Sequence, residues 1–209
     1  MSFYDRQDLI DGINNKIKVC VIGAGGIGFH VAKGLAMSGV ETIYVFDPDT
    51  IEESNLNRLD VTVDVIGKNK ADVVKQVVKS LRPNCMVKSF PFPLKDHTYP
   101  KGVDWIVDCT DNHKSQLENQ RMAQENEARY LKVGYDGTRM SINDRVATWD
   151  SGETQDGYRI TPSWAPPAII GCVSGCGQNP QISQWRNGLR FIRNISIINC
   201  EVLWGRKEN

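Results

Sequence analysis

The sequence predicts an α/β fold built on a doubly wound, largely parallel sheet. Three observations carry that expectation. Apolar, β-rich runs alternate with helix-forming segments from Lys18 onward. A glycine-rich turn, Gly23-Ala24-Gly25-Gly26-Ile27-Gly28, follows the first run directly. Acidic residues, Asp47 and Asp111, stand where two later runs end, and open sheets of this kind bind ligands at their strand ends.

The elements follow in order. Lys18–Gly23 is short and apolar and reads as a buried strand, and Ile27–Met37 as a helix stopped by Ser38-Gly39. Thr42–Phe46 is the second strand. A polar loop runs through Arg58, and a second helix is expected at about Lys68–Leu81, ended by Pro83. Met86–Phe90 reads as a strand, whereas Pro91–Pro100 carries three prolines and is expected to be irregular. Trp105–Cys109 is the next strand. His113–Arg129 reads as a helix with Leu117, Met122 and Ala123 facing the sheet, followed by strands at Tyr130–Gly134 and Ile142–Trp149. Ser151–Pro162 is loop-like, Ala168–Val173 suits a helix start after Pro166-Pro167, and Phe191–Trp204 fits helix or strand equally.

Size and composition narrow the class. A chain of 209 residues suits one domain with a modest appendage and needs no disulfide or metal staple. Lysine plus arginine and aspartate plus glutamate both number 25, so a long basic stripe for nucleic acid is not expected. No apolar stretch is long enough to span a bilayer, and Met1–Asp8 lacks the pattern of a signal peptide. The expectation is therefore a cytoplasmic protein with neither membrane nor nucleic-acid partner. Cys20 and Cys109 lie in strand runs and read as small core residues. Cys172 and Cys176 are too widely spaced for a usual zinc pair and have no second pair to join.

The chemistry centres on the glycine turn. Gly23 permits the turn, Gly25 lets a phosphate approach the backbone, and Gly28 allows the following helix to pack closely; the amides at that helix start favour an anion. Asp47, roughly 20 residues beyond, is placed to accept hydrogen bonds from ribose hydroxyls. The loop Asp47–Arg58 is too polar for one that merely lines a dinucleotide. It supplies Asp49, Asn55 and Arg58, with Lys70 on the helix start and Asp111 and Asn112 after a later strand. Two cations beside an extra carboxylate suit phosphoryl oxygens and a divalent metal better than hydride transfer. His30, His97 and His113 are left without a required task and read as structural or solvent-exposed.

Taken in order, five motifs resemble the ThiF/MoeB/ubiquitin-activating (E1-like) adenylyltransferase family. They are Gly23-Ala24-Gly25-Gly26-Ile27-Gly28, Asp47-Pro48-Asp49, Glu53-Ser54-Asn55-Leu56-Asn57-Arg58, Gly67-Lys68-Asn69-Lys70 and Asp108-Cys109-Thr110-Asp111-Asn112. The resemblance implies a Rossmann-like E1-like adenylation domain over residues 1–209. Residues 1–135 would form the nucleotide-binding core, and 136–209 a short C-terminal extension completing it and offering a substrate cleft. It implies ATP and Mg2+ as cofactors, bound by Gly23, Gly25, Gly26, Gly28, Asp47, Asp49, Asn55, Arg58, Lys70, Asp111 and Asn112, with Asp111 holding the metal. Arg6, in Tyr4-Asp5-Arg6-Gln7, would reach a partner's site across a homodimer, and Arg6, Arg58, Lys70 and Asp111 would carry catalysis. The implied reaction is adenylation of the C-terminal carboxylate of a small ubiquitin-like protein or peptide, with release of pyrophosphate.

Three features depart from the family pattern. The paired zinc cysteines are missing, Leu59 replaces the usual glutamine after Asn57-Arg58, and Asp136–Pro162 holds no cysteine for a thioester. The competing readings are an E1-like scaffold without catalysis and an NAD-dependent oxidoreductase. The latter leaves Arg58, Lys70 and Asp111 without a shared purpose.

Overall fold

A computed structural model describes residues 3–7, 9, 16–136 and 139–146. The expectations for Ser151–Pro162, Ala168–Val173, Phe191–Trp204, Cys172 and Cys176 lie outside these residues. The described elements run β1 (Lys18–Ile22), α1 (Gly26–Met37), β2 (Thr42–Phe46), α2 (Lys70–Leu81), β3 (Met86–Phe90), β4 (Trp105–Asp108), α3 (His113–Glu125), β5 (Arg129–Asp136) and β6 (Arg139–Asn143). Three-residue 3-10 turns sit at Glu53–Asn55, Val63–Val65 and Asp96–Thr98.

Among the described residues the sheet has six strands in the order β3-β2-β1-β4-β5-β6. β1 to β5 are parallel and β6 is antiparallel. The doubly wound expectation therefore holds. The chain builds outward from β1 to β3, then returns to lay β4 on the other side of β1. That reversal opens a crevice at the carboxyl ends of β1 and β4.

β1, β2 and β4 bury both faces, which is why they read as apolar runs rather than alternating ones. Val19, Val21, Ile43, Val45, Val87, Val107, Leu131 and Val133 face the core shared with α1 and α2. Cys20, Ile22, Tyr44, Phe46, Ile106 and Tyr130 face the opposite core, closed by Met122 and Ala123 of α3. Cys20 is a fully buried core residue, as expected, and Cys109 is half-buried. Leu59, the departure from the family pattern, is an apolar core residue here.

Several boundaries and one face differ from expectation. α2 starts at Lys70, because Asn69 caps it by accepting from the amides of Ala71 and Asp72. α3 ends at Glu125 rather than Arg129: Glu127 takes a positive φ of 56°, and Arg129 already pairs with Trp105 in the sheet. The last strand begins at Arg139, earlier than Ile142, because antiparallel pairing with Lys132–Asp136 sets its register. That strand ends at Asn143, so residues 144–146 of the expected strand lie outside the sheet, and residues 147–149 are outside the described set. Leu117, expected to face the sheet, is 45% exposed, and Gln116 and Asn119 are buried in its place. This stretch of α3 meets a buried carboxylate, Asp108, which needs hydrogen-bond donors rather than an apolar cover. No helix among the described residues is long and apolar enough to cross a membrane.

Candidate functional site

The glycine turn bridges β1 and α1 at the crevice. Gly23 donates to the carbonyl of Phe46 at 2.8 Å and adopts a φ of +84°. A Cβ there would stand 3.0 Å from the carbonyl oxygen of Cys109, so only glycine fits on both counts. A Cβ on Gly28 would overlap the Gly23 carbonyl, so the third glycine is what lets α1 start directly over the turn. Around Gly25 nothing lies within 4 Å of where a Cβ would be. Gly25 is also the N-cap of α1, without a capping side chain, and the first turn, which opens on Gly26, contains no acidic residue. The arrangement leaves the positive end of α1 facing open space, suited to an anion.

Asp47 lies under this turn, 5% exposed. One carboxylate oxygen accepts from the amide of Ala24 at 2.5 Å and the other from the amide of Asp49 at 2.8 Å. Each oxygen keeps a free lone pair, so the group is oriented yet still able to accept from a hydroxyl. Burial pushes its carboxyl above the usual range, and Asp49 adds to this; the two amides and Lys70 pull the other way.

Asn69 assembles the neighbouring corner. While its side-chain oxygen caps α2, its nitrogen donates to the carbonyls of Asp47 at 2.9 Å and Asp49 at 3.0 Å. Lys70 consequently lands beside Asp49, with Nζ 3.0 Å from Oδ2. Its side chain is only 14% exposed, whereas that of Asp49 is 65% exposed. Asn69 belongs to a quoted motif but received no role from sequence reasoning; an asparagine directly before a helix start was the available signal.

Asn55 and Arg58 turn toward their own loop. Buried Asn55 accepts from the amide of Glu52 at 3.1 Å. Arg58 Nη1 donates to the carbonyl of Ser54 at 2.8 Å and to Oδ1 of Asn57 at 2.9 Å. His30 of α1 donates through Nε2 to the Arg58 carbonyl at 2.9 Å, tying this loop to the glycine helix. His30 is therefore structural, as expected.

Across the crevice, Asp108 ends β4 without exposed surface. Its Oδ1 accepts from the amide of Thr110 at 3.0 Å and the Thr110 hydroxyl at 2.6 Å; its Oδ2 accepts from Asn119 and Tyr130, both at 2.9 Å. Gln116 Nε2 adds a bond to the Thr110 carbonyl, and Asn112 caps α3 by accepting from Ser115. Thr110 and Asn112 are thus both fixed, and Asp111, held between them, is exposed. Sequence reasoning gave Asp108 no task; a carboxylate ending a buried run was the signal.

Arg6 is not brought to this crevice within the chain. Tyr4 donates to the carbonyl of Ala36 and Gln7 to that of Ser38, so its neighbours are seated at the far end of α1. A helix of 12 residues separates that end from the glycine turn by roughly 18 Å. Among the described residues no three His, Cys, Asp or Glu side chains converge as a metal cage. Asp111 still fits Mg2+, which commonly takes one or two carboxylates and completes its shell with phosphates and water.

A model of the ThiF family matches residues 6–152. The tRNA threonylcarbamoyladenosine dehydratase of Haemophilus influenzae is 33% identical over 140 residues, covering 62% of this chain and 54% of that protein. Adenylyltransferase and sulfurtransferase UBA4 of Eremothecium gossypii is 32% identical over 189 residues, covering 82% of this chain and 41% of that protein. This chain thus spans about half or less of the length of these relatives. Escherichia coli MccB, solved with ATP, superposes with a TM-score of 0.69 at 22% identity, covering 88% of this chain and 64% of MccB. With the family match running across the sheet, the glycine turn and the Asp111 turn, the chain belongs to the ThiF family and has the doubly wound fold of its E1-like adenylation domain.

Proposed function

We propose that this protein is an ATP- and Mg2+-dependent adenylyltransferase that activates the terminal carboxylate of a small protein or peptide, a ubiquitin-like protein being the first candidate. The observation that carries this reading is the convergence of four features at one crevice: the open helix start at Gly25, the oriented Asp47, the Lys70–Asp49 pair and the exposed Asp111. Asp47 would hold the ribose and the amides of α1 the phosphates. Lys70, released from Asp49, would move to phosphoryl oxygens, joined by Arg58 and by Arg6 of a second copy. Mg2+ on Asp111 would shield charge on the leaving group.

The substrate carboxylate oxygen attacks the α-phosphorus and forms an O–P bond. The bond to the α–β bridging oxygen breaks, and pyrophosphate departs with the electron pair. No proton is transferred, because the nucleophile is already an anion, so the chain's contribution is positioning and charge stabilisation. In keeping with this, His30 of α1 is occupied by the Arg58 carbonyl.

The test is ATP–pyrophosphate exchange with Mg2+, using peptides and ubiquitin-like proteins with free or amidated C-termini. Exchange that requires the free carboxylate supports the reading. The similarity to tRNA threonylcarbamoyladenosine dehydratase makes tRNA bearing threonylcarbamoyladenosine a second substrate class for the same assay. ATP binding without exchange on either class favours a scaffold, and tight NAD binding without ATP binding overturns the proposal.

A further inference from the structure

We propose that Phe92, backed by Phe90 and Phe46, is the platform on which the nucleotide's base stacks. The ligand's identity rests on the adenylyltransferase reading above; the platform itself is read from the rings. Phe46 ends β2 and Phe90 ends β3, and they are register partners. Their rings stack with centroids 4.3 Å apart and planes within 9°. Phe92 meets both edge-on, 5.7 Å from Phe90 and 6.1 Å from Phe46.

The cluster is graded in exposure. Phe46 is 1% exposed, Phe90 is half-buried, and Phe92 is 39% exposed. An exposed apolar side chain is ordinary on its own. This one differs in its support and its address. Pro91 and Pro93 flank it and restrict its backbone, and the two inner rings hold it from behind. The Phe90 carbonyl accepts from the amide of Asp47 at 3.1 Å, so the platform adjoins the residue assigned to the ribose. A base joined to that ribose needs a surface beside Asp47, at the carboxyl end of the sheet. The Phe90–Phe92 turn lies at that end and presents a partly exposed aromatic ring.

Base–aromatic stacking is tolerant of base identity and is lost on truncation to alanine, with an effect of about tenfold in affinity. The experiment uses the full chain and three probes: ATP, 2-aminopurine riboside triphosphate and inorganic tripolyphosphate. Wild type is expected to quench the 2-aminopurine fluorescence. Phe92→Ala should lose that quenching and bind ATP about tenfold more weakly, with tripolyphosphate affinity unchanged. Phe92→Tyr should retain both properties. Wild-type ATP affinity in Phe92→Ala, or an equal loss for tripolyphosphate, overturns the platform while leaving the adenylation reading intact. A folded wild type that binds no ATP removes the adenylation reading, and the platform with it.

Discussion

The Tyr130 hydroxyl donates to the Asp108 carboxylate across 2.9 Å, where Asp108 has no exposed surface. Burial, Asp108's charge and this hydrogen bond all push the phenol's ionisation far up, so Tyr130 remains a donor at every physiological pH. The bond joins β4 to β5, and the same carboxylate holds the turn leading to Asp111. Tyr130→Phe should therefore cost about 1–3 kcal/mol, read as a lowered urea midpoint at unchanged slope. Asp108→Ala should cost more, because it orphans donors from Thr110 and Asn119 as well. An unchanged midpoint in Tyr130→Phe would show that the hydroxyl bond contributes nothing.

The glycine turn separates a folding requirement from a binding requirement. Any Cβ at position 28 overlaps the Gly23 carbonyl, so Gly28→Ala is expected to fold poorly or to lose about 3 kcal/mol or more. Gly25→Ala meets no protein atom and keeps a φ near −75°, so its melting temperature should stay close to wild type. Its methyl group would nevertheless occupy the space through which a phosphate approaches. ATP affinity should fall in Gly25→Ala without a matching loss of stability, measured by calorimetry and thermal melting on one preparation. A variant as tight as wild type would mean that the phosphates lie elsewhere.

His30 gives the fold an acid-side sensitivity. Burial holds its imidazole below the ordinary histidine value, and Lys33 adds to this. The bond to the Arg58 carbonyl and the charge of Asp60 oppose it. With the folded pKa depressed, the unfolded chain takes up the proton first as pH falls. The stability this group contributes is present above about pH 6.5 and is lost as pH drops through the lower folded value. Asp60, held below its usual range by Lys33, titrates in a more acidic window and does not obscure the effect. Urea titrations between pH 7.5 and about 5 should show a stability decline that is flatter in His30→Gln. Equal slopes in the two proteins would remove His30 as the source.

Much of the fold was legible because burial on both faces writes parallel strands as apolar runs, and because the turn after β1 needs glycine for steric reasons visible in the sequence. What escaped was set by polar contacts distant in sequence. Leu117 fits a helix stripe, but on that side Asn119 donates to Asp108 and Gln116 to the Thr110 carbonyl, and periodicity carries no record of acceptors on another element. Arg58 was placed at the site by motif order, yet its guanidinium folds onto Ser54 and Asn57, a geometry decided within the loop itself. Asp47, Asp49 and Lys70 converge as expected, but the agent is Asn69, whose two-sided hydrogen bonding no spacing rule describes.

Arg6 yields the sharpest test of assembly, because its own crevice lies at the other end of α1. If the arginine acts at all, it must act on another copy, and two-fold dimers make that exchange reciprocal. Arg6→Ala and Asp111→Ala should each abolish pyrophosphate exchange while leaving the melting temperature near wild type, since both residues are exposed. Mixed in equal amounts and allowed to re-equilibrate, the two variants form heterodimers in which one site carries both lesions and the other neither. About a quarter of wild-type activity should then return, on statistical pairing of a two-fold dimer. A mixture that exchanges subunits, verified by a tag on one variant, yet stays inactive would place Arg6 outside the reaction and remove the reason for expecting a dimer.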